Sequence, residues 1–436
     1  MSIVEQYISK KKELPQILEL VQSHDEIEVG HNLSEPLSFL NNLHQLPENI
    51  SDVILVKSMD MDPYPFMMQT PSEKLRTESV FLGAQGRASR SAQKNNVDYI
   101  PVSLSDIPSM HRRRHAESDR RRVFVCAVSP MDDFGFFRIS MSLCMENEGI
   151  ECADLVIFEV NKNIPRVEGE NQYHISQIDY FYEVDTPLSV YPPVIPTEKE
   201  RTVGEYVASL VDDGACLQLG VGGIPNAAAN ALRSKKDLGI HTELITPTMC
   251  ELFQEGVVTC TRKNIDRNKI VAALVMGTQE LYDFVADNPM ISMRSSHYVN
   301  NPFVIAQNDN VVSINGALQV DLTGQVCSES IGSRMYSGTG GCFDFAYGAR
   351  LSKGGKGIIA LLSTAKKGTI STIQPVLDPG AIVSVTRNVA DYVVTEYGIA
   401  PLRDRTVRQR VENLIAICHP DFRGELRKEA SRLMLS

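Results

Sequence analysis

Residues Cys216–Leu232 read CLQLGVGGIPNAAANAL, an apolar strand that breaks at Gly220, Gly222 and Gly223 and then enters an Ala-rich helix. Such a turn aims backbone N–H groups and a helix N-terminus at an anion or a developing oxyanion. Its GxGG spacing, with Pro225 where the helix starts, departs from the dinucleotide fingerprint GxGxxG. Taken alone, the loop is equally readable as a structural turn, because glycine serves wherever φ must be positive. Further on, Gly239–Thr246 (GIHTELIT) places Glu243 inside an otherwise apolar, β-branched strand. A carboxylate there loses solvation unless it is paired or emerges at the strand end, so Glu243 is either a satisfied structural ion or a functional group with a raised pKa. His241 projects to the same strand face and could orient Glu243, although a satisfied core histidine is the plainer role.

Working outward, short apolar runs alternate with longer amphipathic stretches. Asp52–Val56, Val123–Val128 and Leu155–Val160 lie on the N-terminal side; Ala215–Leu219, Ile240–Thr246, Lys269–Val275, Gly357–Leu362, Ala381–Val385 and Tyr392–Thr395 make up the C-terminal series. Runs of this length suit strands covered on both faces. They predict an α/β protein with two open sheets, a class in which ligands bind at the carboxyl ends of strands. Between the series, Pro187–Pro196 (PLSVYPPVIP) carries four prolines and is followed by the charged TEKER. This stiff polar segment is read as a linker over 187–200, separating an N-terminal domain (1–186) from a C-terminal one (201–436). Near the end, Thr406 caps VRQRVENLIAICH, whose Val407, Val411, Leu414 and Ile415 share one face.

The 436 residues suffice for two or three domains at roughly 150 residues each. With 43% hydrophobic and 22% charged residues, bulk disorder and fibrous classes are excluded. The net charge of −11 does not favour nucleic acid or an anionic membrane, so an anionic ligand must be held locally. No stretch approaches the roughly 18 apolar residues of a membrane span, and the N-terminus lacks a secretory core, so a cytoplasmic location is expected. Nine cysteines are scattered without a CxxC pair and read as reduced, buried fillers, with no metal site implied. The basic run His111–Arg122 (HRRRHAESDRRR) holds six arginines, partly neutralised by Glu117 and Asp119. It reads as a solvated face, with phosphate binding as the alternative.

A second glycine cluster, Ser337–Gly341 (SGTGG) followed by CFDFA, again offers unobstructed backbone N–H groups. Ile314–Val326 (INGALQVDLTGQV) reads as strand, turn and strand, in which Asn315 and Gln325 are either polar ligands or turn-stabilising residues. Ser352–Gly357 (SKGGKG) is read as a solvated turn, and His419–Arg423 (HPDFR) as a cap with an ion pair.

Together these words resemble the acetyl-CoA hydrolase/transferase family, and within it the 4-hydroxybutyrate CoA-transferases. Along the chain they run SPMDDFGF (Ser129–Phe136), EVNKNIPRVEG (Glu159–Gly169), HISQID (His174–Asp179), LGVGGIPNA (Leu219–Ala227) and DLGIHTEL (Asp237–Leu244). They continue through YVNNP (Tyr298–Pro302), INGALQVDLTGQV, SGTGG and VVTEYGIAPLRDRT (Val393–Thr406) to HPDFR. The resemblance implies two α/β domains of related CoA-transferase (NagB/RpiA-like) fold with the active site between them. It makes Glu243 the nucleophile, which reverses the structural reading of that carboxylate. It assigns Gly220, Val221, Gly222, Gly223 and Ile224 to CoA binding and oxyanion stabilisation, with Gly340 or Gly341 as the second backbone donor. Asn315, Gln325 and Lys366 become expected CoA contacts.

The implied activity is transfer of CoA from an acyl-CoA such as acetyl-CoA to a short carboxylic acid such as 4-hydroxybutyrate, through a glutamyl-CoA thioester. An acyl-CoA hydrolase of the same family and a catalytically inactive CoA-binding protein are the alternatives. The resemblance further implies a homo-oligomer with no tightly bound cofactor, CoA being both substrate and covalent intermediate. One departure lies beside the nucleophile: family members commonly continue after HTE to an Asp-Gly, whereas this chain reads ITPTMCE over Ile245–Glu251. Acyl preference is therefore the least constrained property.

Overall fold

The computed structural model describes residues 2–59, 63–68, 74–91 and 97–435, and the chain divides into two compact units. The first runs to Tyr191 and takes in Ala272–Tyr298; the second holds Pro192–Val271 and Val299–Ser436.

The N-terminal unit is built on a sheet of strands β1 (Asp25–Val29), β2 (Val53–Lys57), β3 (Leu75–Ser79), β4 (Val97–Tyr99), β5 (Arg121–Val128), β6 (Leu155–Asn161) and β7 (Tyr180–Val184). Their order is β4-β3-β2-β1-β5-β6-β7, with every neighbour parallel. The predicted strands at 52–56, 123–128 and 155–160 are present. The central strand β1 is not one of them, because its sequence, DEIEV, does not look like a strand buried on both faces. All five residues are nevertheless buried.

The basic run explains how. His111–Glu117 completes helix α1 (Ile107–Glu117), and Arg121 and Arg122 open β5. Arg122 reaches Glu26 at 3.1 Å with both side chains at most 5% exposed. Arg121 pairs with Asp25 at 2.7 Å, His111 Nδ1 lies 2.9 Å from Glu28, and Arg114 reaches Glu78 at 2.6 Å and Glu26 at 3.5 Å. The expected solvated face holds for Arg112, Arg113, His115, Glu117 and Asp119, which are exposed, and is corrected for His111, Arg114, Arg121 and Arg122, which neutralise a charged central strand. Leaving either partner alone in the interior costs several kcal/mol, which also removes these arginines as phosphate receptors.

The C-terminal unit carries β8 (Cys216–Leu219), β9 (Gly239–Ile245), β10 (Val311–Gly316), β11 (Lys356–Ala360), β12 (Tyr392–Thr395) and β13 (Gly398–Pro401), in the order β9-β8-β10-β11-β12-β13. The pairs are parallel up to β12, which forms an antiparallel hairpin with β13. Helices α2 (Glu198–Ser209), α3 (Gly223–Ala231), α4 (Pro247–Gln254), α5 (Cys342–Leu351) and α6 (Val407–Ile417) belong to this unit. Strand order reverses between β8 and β10, so the glycine loop after β8 opens where an open α/β sheet admits a ligand.

Several boundaries differ from the sequence reading. Residues 187–196 have no regular structure, but Thr197 caps α2 through a capping box with Glu200, so 198–200 are helix rather than linker. Where an unbroken C-terminal domain was expected over 201–436, residues 272–298 group with the N-terminal unit. The backbone accounts for this: Leu143 donates to the Ala273 carbonyl, Val275 to Met141 and Met293 to Glu168. Ala381–Val385 is not a strand; Val385 makes an isolated bridge to Val326. In α6 the buried face is Val411, Leu414, Ile415 and Ile417, while Val407 at the first turn is exposed. No helix among the described residues is long and apolar enough to cross a membrane.

Candidate active site

Strands β8 and β9 pair in parallel, Cys216 opposite Gly239 and Leu217 opposite Ile240. Carried forward by the same offset, this register sets Glu243 abreast of Gly220, where β8 ends and the glycine loop begins. Glu243 is half-buried in a strand whose other residues are buried. Asn300, fully buried, donates from Nδ2 to Glu243 Oε2 at 3.1 Å. Gly341, the N-cap of α5, approaches the same oxygen so closely that a Cβ built on it would lie 2.1 Å from Oε2 and 2.2 Å from Asn300 Nδ2. With φ at −97°, glycine is required at 341 by space and not by backbone conformation. Its neighbour Gly340, at φ +54°, is required for the opposite reason.

Burial pushes the Glu243 carboxyl above its ordinary pKa, while the Asn300 amide and the Gly341 backbone amide oppose that shift by bonding the ionised form. The result is a carboxylate with a single fixed orientation and little hydration. No cation pairs with it among the described residues, so its charge is held by neutral donors alone. A desolvated carboxylate with a perturbed pKa and no ion pair marks a candidate functional group.

His241 takes the core role rather than orienting Glu243: it is buried, its Nε2 lies 2.8 Å from the Val299 carbonyl, and its ring packs edge-on to Phe345. The glycine loop opens a cleft of about 300 Å³ lined by Val221–Pro225, Gly316–Leu318, Ala360–Leu362, Thr364, Ala365, Thr372 and Glu200. Gly222 sits at φ +125° with open space where a Cβ would be, and at Gly223 a Cβ would strike Glu200 Oε1 at 2.2 Å.

Of the expected CoA contacts, two are amides that bond neighbouring side chains. Asn315 and Gln218 exchange hydrogen bonds at 3.0 and 3.1 Å, and Asn315 also donates to Ser313. Gln325 bonds Asp321 at 2.7 Å and stabilises the turn between its two strands. Lys366 is exposed at the turn that follows the cleft residues Thr364 and Ala365, with φ +46°. Sequence reasoning missed Asn300. The signal was there in YVNNP: Asn301 caps the turn that Pro302 opens, leaving its twin free for another task.

A family model described as the acetyl-CoA hydrolase/transferase N-terminal domain matches residues 1–192, and its C-terminal counterpart matches 277–430. The chain belongs to the acetyl-CoA hydrolase/transferase family. Among relatives of this family, it is 42% identical to a 4-hydroxybutyrate coenzyme A transferase of Clostridium kluyveri, covering 94% of each chain. It is 43% identical to a succinyl-CoA:cyclohexane-1-carboxylate CoA transferase of Geobacter metallireducens, covering 95% of this chain and 93% of that one. Among solved structures, RipA from Yersinia pestis superposes with a TM-score of 0.93 at 35% identity over all of both chains. A 4-hydroxybutyrate CoA-transferase from Porphyromonas gingivalis does so with 0.82 at 34% identity over 99% of each.

Proposed function

We propose that the protein is a CoA-transferase that moves CoA between an acyl-CoA and a short carboxylic acid by covalent catalysis at Glu243. The observation that carries this reading is the Glu243–Asn300–Gly341 cluster: a half-buried carboxylate held by neutral donors at the mouth of a glycine loop. Moving CoA between two carboxylates is nearly isoenergetic only if the thioester energy is kept in an enzyme-bound form. A carboxylate nucleophile can keep it, whereas a serine or cysteine would retain the acyl group and release CoA.

In the proposed sequence the Glu243 carboxylate adds to the acyl-CoA carbonyl and expels CoA thiolate, leaving an acyl-glutamyl anhydride. The thiolate then attacks the glutamyl carbonyl, giving a glutamyl-CoA thioester and the free acid. A second carboxylate runs the two steps in reverse. Each addition places negative charge on an oxygen, and the backbone N–H groups of Val221–Ile224 and of Gly340 or Gly341 are assigned to receive it; that of Gly220, expected among them, is already spent on the Ile314 carbonyl at 2.9 Å. One such donor contributes about 3 kcal/mol, or a factor of roughly a hundred in rate. Lys366, beside the cleft, is a candidate contact for CoA phosphates.

The named relatives act on acids from 4-hydroxybutyrate to cyclohexane-1-carboxylate, so acetyl-CoA with 4-hydroxybutyrate is the first pair to test here. The same reading makes the protein a cytoplasmic homo-oligomer of two CoA-transferase domains, with no cofactor beyond CoA. The test is the mass of the protein after incubation with acetyl-CoA. A CoA-sized adduct on the peptide containing Glu243 supports the reading. Wild type and Glu243→Ala that stay equally unmodified while binding CoA refute it. Acetyl-CoA consumption that is indifferent to the acceptor acid would instead mark a hydrolase.

A further inference from the structure

The cleft beside the glycine loop is chemically lopsided. Of the residues lining it, Glu200 alone carries a charge, and that charge is negative; no aromatic ring and no lysine or arginine is among them. The walls are otherwise backbone, small residues and the aliphatic side chains of Val221, Ile224, Leu318 and Leu362. Thr372 spends its hydroxyl on the Leu362 carbonyl at 2.6 Å.

Glu200 is held firmly. Its Oε2 accepts from the Thr197 backbone N–H at 2.7 Å and from the Thr197 hydroxyl at 2.8 Å, completing the cap of α2. This leaves Oε1 pressed over the Cα of Gly223, the first residue of α3. A carboxylate therefore stands where the N-terminus of α3 would otherwise attract an anion. A pyrophosphate entering here would meet like charge, and an adenine would find no ring or guanidinium to stack on.

Resting on the reading of this protein as a CoA-transferase, we propose that Glu200 is a substrate-binding residue that makes this cleft a site for the uncharged pantetheine arm of CoA. Its Oε1 accepts a hydrogen bond from a pantetheine N–H or O–H and repels the phosphates. The aliphatic walls take the gem-dimethyl and methylene groups. The phosphates then lie outside the cleft, where Lys366 and Lys367 are exposed on the adjoining turn. The arm thus placed ends at the glycine loop, which is where the thioester must arrive.

The test uses Glu200→Gln, because glutamine also completes a capping box at this position and the cap consumes its one oxygen. The amide N–H₂ is then left facing the cleft in place of an acceptor. Binding of CoA, pantetheine and adenosine 3′,5′-bisphosphate is measured by calorimetry for wild type and variant, with thermal unfolding as the check on folding. The expected result is an affinity for CoA and for pantetheine about tenfold weaker in E200Q, the size of one hydrogen bond to a charged acceptor, with the bisphosphate unchanged. An unchanged pantetheine affinity, or a bisphosphate whose affinity falls as far as that of pantetheine, overturns the assignment by showing that the carboxylate does not face the pantetheine arm. CoA that fails to bind wild type overturns both this assignment and the transferase reading, whereas the preceding outcomes leave the latter standing.

Discussion

Gly341→Ala is the most exacting test of the site, because it adds one methyl group at a backbone conformation alanine accepts. At φ −97° and ψ 8° the residue is unstrained, so the consequences come from contact. The new Cβ would lie 2.1 Å from Glu243 Oε2 and 2.2 Å from Asn300 Nδ2, where Cβ atoms essentially never come within 3.0 Å of a neighbour. The shortfall is about 1 Å, and it must be made up by Glu243 or by the start of α5. A misplacement of that size at a reacting group costs on the order of a hundredfold in rate. Overpacking of this kind costs about 1–3 kcal/mol of stability, which leaves a protein of this size folded.

Gly220→Ala is the control within the same site. Its methyl would meet the Ile314 carbonyl at 3.4 Å and Asn315 Oδ1 at 3.5 Å, close to ordinary contact. Steady-state transfer from acetyl-CoA to a carboxylate acceptor, with intact-protein mass after a single turnover, should therefore show a loss of about a hundredfold for G341A and a much smaller one for G220A. A G341A enzyme that transfers and forms its covalent adduct at the wild-type rate would refute the argument that Glu243, Asn300 and Gly341 hold the reacting centre.

Glu243→Gln should reduce transfer by at least about a thousandfold and abolish the adduct, since the amide is no nucleophile. The same variant should be more stable than wild type at neutral pH. Glu243 has a folded pKa raised by burial, so the stability of wild type relative to E243Q is fully present below the ordinary carboxylate range. It is lost as pH rises through the raised value, which urea unfolding at several pH values will show. Asn300→Ala removes a donor that holds that pKa down; the acidic limb of kcat/KM should move to higher pH as kcat falls. Arg122→Met should cost about 3 kcal/mol in denaturant unfolding, the low end for breaking a buried pair, because Glu26 then keeps only Arg114, at 3.5 Å; a phosphate-binding role would instead appear as weakened CoA affinity with stability intact.

Some of this was legible one segment at a time. The strands at Val123–Val128, Leu155–Val160 and Tyr392–Thr395 contain the uninterrupted apolar runs Val123–Val128, Leu155–Phe158 and Tyr392–Val394, and an apolar run needs no partner to be recognised. DEIEV at Asp25–Val29 was illegible because its burial depends on His111, Arg121 and Arg122, roughly a hundred positions away. The same dependence hid the meaning of the basic run, since a charge cluster looks solvated until its counter-charges are known. Asn315 and Gln325 were read as ligands or turn residues because an amide's partner cannot be inferred from its neighbours in sequence.

What the sequence by itself determined is the chemistry available: a glycine-broken strand entering a helix, a carboxylate in an apolar strand, and a succession of words that places the chain in its family. Those features are local, and local sequence carries them. What only the tertiary structure decided is which groups meet that carboxylate. Asn300 and Gly341 reach Glu243 from opposite ends of a stretch that includes β10, and Glu200 reaches the glycine loop from the preceding helix. Desolvation, close approach and the orientation of a donor arise between segments distant in the chain, so they exist only once the chain is packed.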